Sequence, residues 1–283
     1  MKIAISAEST IDLPKEVLEA NKIFVVPFTV CIGDKIFYDG EMTTDEMIEE
    51  VKKVKMLPKT SCVNQAQYEE HFSKILKEYD AILHFSLSSE LSSAYNNAVT
   101  VAKKFNNVKI IDSKTLSTGI GLEALYAKKL IDAGETFEKT IEKVEERIPF
   151  VQVSSVIDKL DYLCMGGRCS VLKRFGANIL RIKPQIIITG GKITTGKLYR
   201  GKYESVLTKY IYDTLRTYDN PDYENVIIAY TTTNNPQFID TVKEILIKEG
   251  FRNIIVTQAG ATVTGHCGEN TLGIYYINDG NHN

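Results

Sequence analysis

The chain has 283 residues, 43% hydrophobic and 25% charged, the balance of a globular protein and not of a collagen-like, disordered or coiled-coil chain. Lys plus Arg total 34 against 36 Asp plus Glu, a formal net charge of −2, so no global field attracts nucleic acid or an anionic membrane surface. No stretch approaches the ~20 consecutive apolar residues of a membrane span. The N-terminus reaches Glu8 too early for a signal peptide, so a cytoplasmic protein is expected.

Lys2 to Ser6 predicts a first strand, and Asp12-Leu13-Pro14 opens a helix, with Pro early where its missing N–H costs nothing. Ile23 to Val30 is a second β-branched run. Thr43 and Glu46 have capping-box spacing ahead of a helix over Met47 to Val54. Asn64 and Gln67 repeat it ahead of a helix with Tyr68, Phe72, Ile75, Leu76 and Tyr79 on one face. Ala81 to Phe85 and Val108 to Ile111 are two more apolar strands, followed by helices over Ser92 to Lys104 and Ser117 to Ala133. Short apolar strands alternating with helices predict a parallel sheet covered on both faces. Ligands then collect in the loops at the strands' carboxyl ends, here Ser9-Thr10, Ser86 to Ser93 and Asp112 to Ser117, all rich in hydroxyls.

A charged amphipathic helix, Phe137 to Ile148, ends at Pro149, which marks a border between an N-terminal α/β domain (1–149) and a C-terminal one (150–283). In the second half, Phe150 to Val156 is a strand, and Pro184 to Thr189 and Ile193 to Leu198 form a hairpin around Gly190-Gly191. Glu204 to Tyr218 is an amphipathic helix. Asn225 to Thr231, Asn253 to Val256 and Gly273 to Ile277 are further strands of a mixed sheet with helices.

Four constellations carry chemistry. Thr60-Ser61 places two adjacent hydroxyls ahead of the helix capped at Asn64, a good anion receptor, although taken alone such residues more often serve as caps and in turns. Ser86, Ser88, Ser89, Ser92 and Ser93 at one strand-to-helix turn exceed what capping needs. No Gly-x-Gly-x-x-Gly or Gly-Lys-Ser/Thr accompanies them, so neither a dinucleotide nor a nucleoside triphosphate is suggested. Gly265-His266-Cys267-Gly268 reads as an imidazole at a loop tip between two glycines. Gly166-Gly167-Arg168, followed by Lys173, Arg174, Arg181 and Lys183, suits a basic contact surface or a helix C-cap with solvated charges. The five cysteines, Cys31, Cys62, Cys164, Cys169 and Cys267, are odd in number and hold no Cys-x-x-Cys pair; with only four His, reduced thiols and no structural zinc are expected.

Together and in order these pieces resemble the DegV family. They are Glu8-Ser9-Thr10-Ile11-Asp12-Leu13, Thr60-Ser61, Ser88-Ser89-x-Leu91-Ser92 with Tyr95, Ile111-Asp112-Ser113, Leu163-x-x-Gly166-Gly167-Arg168, Ile182-Lys183-Pro184 and His266-x-Gly268. The resemblance implies two α/β domains enclosing one long-chain fatty acid such as palmitate, presented to a separate fatty acid kinase. It implies no cofactor and no catalytic residue. Thr60, Ser61, Ser92 and His266 would bind the carboxylate, Arg200 would lie at the pocket entrance, and Arg168 would meet the kinase. Glu8 stands where the family usually has Asp, Cys62-Val63-Asn64 replaces a common Gln-Pro-Ser, and Cys164-Met165 replaces a basic pair. The competing reading is a hydrolase or phosphotransferase with Ser92 or Cys267 as nucleophile and His266 as base.

Overall fold

The computed structural model describes residues 1–158, 160–167, 182–233 and 236–280. Arg168, Cys169, Lys173, Arg174 and Arg181 lie outside them. Strands β1 (Ile3–Glu8), β2 (Ile23–Val26), β6 (Ala81–Ser86) and β7 (Val108–Asp112) form a wholly parallel sheet in the order β2-β1-β6-β7. All six residues of β1 and of β6 are buried, as strands covered on both faces must be. One face carries α3 (Gln65–Ile75) and α4 (Ala94–Ala102), whose Tyr68, Phe72, Ala94 and Ala98 pack on Ala4, Val26 and Ile82. The other is covered by α5 (Thr118–Asp132), with α6 (Phe137–Arg147) beyond it.

Both expected capping boxes form. Thr43 accepts the Glu46 amide ahead of α2 (Thr44–Val54), and Asn64 accepts the Gln67 amide ahead of α3, each answered by the acid or amide side chain reaching back. The run Ile23 to Val30 is not one strand. Pro27 has no N–H for a ladder, and the chain leaves the parallel sheet there. It re-enters as β3 (Thr29–Ile32), centre of a three-stranded antiparallel sheet with β4 (Lys35–Tyr38) and β5 (Lys59–Ser61). Thr60 and Ser61 therefore sit on an edge strand, not in a turn before α3.

The second half is a mixed sheet, β10 (Lys192–Tyr199), β9 (Lys183–Thr189), β8 (Val151–Val156), β13 (Leu272–Ile277), β11 (Asn225–Tyr230) and β12 (Asn253–Gln258) in spatial order. Only β11 and β12 run parallel. The β9–β10 hairpin turns at Gly190 and Gly191, with φ of +57° and +83°, values that a primed two-residue turn demands. Helices α8 (Tyr203–Thr217) and α9 (Gln237–Lys248) cover one face through Val206, Leu207, Tyr210, Val242 and Leu246.

The opposite face meets α5. This helix buries Ile120, Leu122, Ala124, Ala127 and Leu130 in one cluster with Ile5, Leu83 and Phe85 of the first sheet and Val153, Ile227, Ala229 and Tyr275 of the second. A Cβ on Gly119 would stand 2.6 Å from the Val153 side chain, so glycine permits this close approach. No helix among the described residues is long and apolar enough to cross a membrane.

Candidate functional site

The hydroxyl-rich loops that follow β1, β6 and β7 all point toward the second sheet. Between them lies a cavity with mainly apolar walls. Its oily wall comes from alternate residues of the second sheet, Val153, Ile157, Ile186, Ile188 and Ile193, with Leu163 of α7 (Asp161–Met165) and Leu87, Leu91 and Leu116 from the first half. Thr60, Ser92 and His266 line the same space, although they are far apart in the chain. All three are partly exposed, whereas Thr10 and Ser117, which also line it, are buried. The trio thus supplies partly exposed polar groups to the cavity wall.

Thr60 and Ser92 can each keep a hydroxyl hydrogen to donate. Thr60 Oγ1 and His266 Nε2 share a hydrogen bond of 2.9 Å. With the imidazole N–H donating, the threonine hydroxyl keeps its own hydrogen for a ligand. Ser92 Oγ accepts the Ala94 amide at 3.2 Å at the start of α4, and its hydrogen is likewise left to donate. His266 is not at a loop tip. It occupies the last turn of α10 (Ala261–Cys267), and only Gly268, beyond the helix, has a positive φ, +73°.

Ser61, one residue from Thr60, is exposed and absent from the cavity wall, because successive residues of a strand face opposite ways. Arg200 is exposed just after β10 and does not line the cavity. Arg168 lies outside the described residues. The serine cluster divides its labour. Ser88 Oγ donates to the Gly191 carbonyl at 2.8 Å, fastening the β9–β10 hairpin to the first half, and the Ser89 amide donates to Asp112. Ser93 Oγ lies 3.1 Å from Cys62 Sγ.

The structure gives the reading of Cys267 as a nucleophile no support. Burial, reinforced by nearby Asp12, pushes the Cys267 thiol up to about 12, so it stays protonated and unreactive at neutral pH. His266 Nε2 is engaged by Thr60.

Two features of the site escaped sequence reasoning. The N-terminus of α10 is held by carboxylates from the first half: Asp12 accepts the Gly260 amide at 2.8 Å and Asp39 accepts the Ala261 amide at 2.8 Å. Ser117 donates to Asp12 at 2.6 Å and Ser9 to Asp39 at 3.0 Å. Burial, partly offset by the Ser117 bond and reinforced by Asp39, raises the Asp12 carboxyl to about 8. The second is a buried network around Glu8, which reaches the cavity wall through Leu87. Glu8 accepts from Tyr68 at 2.5 Å and from the Leu87 amide at 2.8 Å, and His84 Nε2 lies 3.2 Å away. Ser6 Oγ links His84 to His71. Burial alone would raise the Glu8 carboxyl, but His84, Tyr68 and Leu87 outweigh it and hold it below the usual range. A motif could flag Asp12; no local signal marks Asp39 or His71.

Known proteins share this architecture. A Thermotoga maritima protein named fatty acid-binding protein is 27% identical over 281 residues, covering 96% of each chain. The Bacillus subtilis crystal structure of DegV, a fatty acid binding protein, superposes with a TM-score of 0.85 at 25% identity, covering 99% of this chain and 100% of that one. The Streptococcus pneumoniae fatty acid kinase B3 protein, loaded with linoleic acid, has the same fold, with a TM-score of 0.84 at 21% identity and coverage of 99% and 100%. A family model described as "Uncharacterised protein, DegV family" matches residues 2–279. With nearly its whole length matched, the chain belongs to the DegV family.

Proposed function

We propose that the protein is a carrier, not a catalyst: it binds one long-chain fatty acid in the cavity and presents the carboxylate to a fatty acid kinase. The single observation that carries this reading is that Thr60, hydrogen-bonded to His266, and Ser92 line one mainly apolar cavity. In it, residues 1–149 and 150–283 act as two domains that enclose the ligand.

The energetics fit such a ligand. About 14 buried methylenes at ~0.8 kcal/mol each give a ceiling near 11 kcal/mol. Ordering and desolvation remove several kcal/mol, leaving micromolar to nanomolar affinity. The carboxylate is the costly end, since an unpaired buried charge would forfeit much of the gain. Donated hydrogens from Thr60 and Ser92 offset that cost. Similarity to relatives named for fatty acid binding at 25% identity or more supports the ligand class.

The kinase step rests on the family resemblance, which assigns Arg200 to the rim and Arg168 to the kinase contact. Arg168→Ala is expected to leave lipid binding intact and stop acyl-phosphate formation by a fatty acid kinase; equal turnover of variant and wild type would remove that assignment. Native mass spectrometry of the purified protein tests the carrier reading itself. An adduct of acyl mass, lost on delipidation and restored by hexadecanoate, is expected. Absence of any adduct together with no calorimetric binding of hexadecanoate or octadecenoate would sink it.

A further inference from the structure

Helices α7 and α10 exchange rings for glycines. The Tyr162 ring of α7 lies over Gly268, where a Cβ would stand 2.7 Å from Tyr162 Cδ2 and 3.1 Å from Cγ. The His266 imidazole of α10 lies over Gly166, where a Cβ would overlap Nδ1 and stand 2.9 Å from Cε1. Tyr162 is buried in a cluster with Met47, Ile48, Val51 and Ala261, so the interlock is packed against α2 and the start of α10.

Gly166 itself has φ −67° and ψ −5°, ordinary right-handed helical backbone in which alanine is as comfortable as glycine or more so. Locally, such a Cβ would meet the Tyr162 carbonyl oxygen at 3.2 Å, farther than either imidazole atom. The requirement comes from the imidazole. His266 is thus seated between two neighbours: Thr60 Oγ1 engages Nε2, and the bare backbone of Gly166 stands against Nδ1. Gly166 does not line the cavity, so it touches no ligand placed there.

We propose that Gly166, with Tyr162, is a positioning residue for the ligand's head group, fixing the imidazole so that the Thr60 hydroxyl is aimed at a carboxylate. This rests on the fatty-acid reading above. By linkage, an acid that draws on the Thr60–His266 pair also braces α7, and a displaced α7 weakens the acid. A fatty alcohol of the same length fills the same apolar wall without calling on a carboxylate receptor, and so is indifferent to the seat.

The test compares hexadecanoate with hexadecan-1-ol by calorimetry on wild type, Gly166→Ala, His266→Ala and the double variant, alongside the melting temperature of each delipidated protein. Gly166→Ala is expected to weaken the acid about ten-fold or more, leave the alcohol within about two-fold and add nothing in the His266→Ala background. Tyr162→Leu, which loosens the other half of the interlock, should show the same selective loss, and it serves if Gly166→Ala does not fold. Equal loss of acid and alcohol, unchanged acid affinity, or additive effects in the double variant would overturn the inference. A wild type that binds neither ligand overturns the fatty-acid reading as well, which separates the two failures.

Discussion

Asp12 Oδ1 accepts the Gly260 amide at 2.8 Å across 248 positions of sequence. With Asp39 on the next amide, this contact sets where α10 begins and therefore where His266, in its last turn, arrives beside Thr60. The head-group site is assembled by long-range polar clamps more than by any single loop.

Removing either cavity hydroxyl tests the donors directly. Ser92→Ala and Thr60→Val are each expected to cost about 1–3 kcal/mol of fatty acid affinity, the worth of a hydrogen bond to a charged acceptor. Melting temperatures should barely move, because neither residue is in the buried core. Unaltered dissociation constants for both would discard the head-group assignment.

The Asp12 carboxyl imposes a pH dependence of definite sign. Raised from the ordinary 3.8 to about 8, it holds a proton in the folded state that the unfolded chain has released. Between those pH values the folded state binds more protons, so this group makes stability fall as pH rises, by at most about 6 kcal/mol in all. Asp12→Asn, neutral throughout, should flatten the decline in melting temperature between pH 5 and pH 8.5 relative to wild type. An identical slope in the two proteins would show that Asp12 titrates normally.

Glu123 in α5 is 3% exposed, and neither carboxyl oxygen has a hydrogen-bond partner among the described residues. Burial, with the charge of Asp112, raises it well above the usual carboxylate range. Replacing an unsatisfied buried polar group by an apolar one removes a penalty of about 1–3 kcal/mol. Glu123→Leu should therefore raise stability in urea titrations; a clear loss would mean that the carboxyl has work to do.

Tyr68→Phe removes one of the donors to Glu8 while keeping the ring. Because Glu8 is a buried charge, the expected loss is about 1.5–3 kcal/mol. Denaturation curves measure it, and a loss below about 0.5 kcal/mol would mean that His84 and the Leu87 amide suffice.

Much of this was legible in the chain. Alternating apolar strands and helices foretold a parallel sheet, and the hydroxyl-bearing loops after β1, β6 and β7 do open on the cavity. Local signals with a local cause, the two capping boxes and the Gly190-Gly191 turn, read correctly. What failed was set at a distance. Pro27 redirects a β-branched run into a second sheet, and His266 looked like a loop residue because short α10 draws its order from Asp12 and Asp39, which local patterning does not reveal. Thr60, Ser92 and His266 could be named from motifs, but the opposite orientation of Ser61 depends on the edge strand β5.

The sharing of α5 between the two sheets has a consequence for how the molecule comes apart. Ile120, Leu122, Ala124 and Leu130 belong to one continuous apolar cluster with residues on both sides of Pro149. Neither half can be stripped from the other without wetting that cluster. The chain should melt in a single cooperative calorimetric transition, and fragments cut at Pro149 should aggregate when expressed alone.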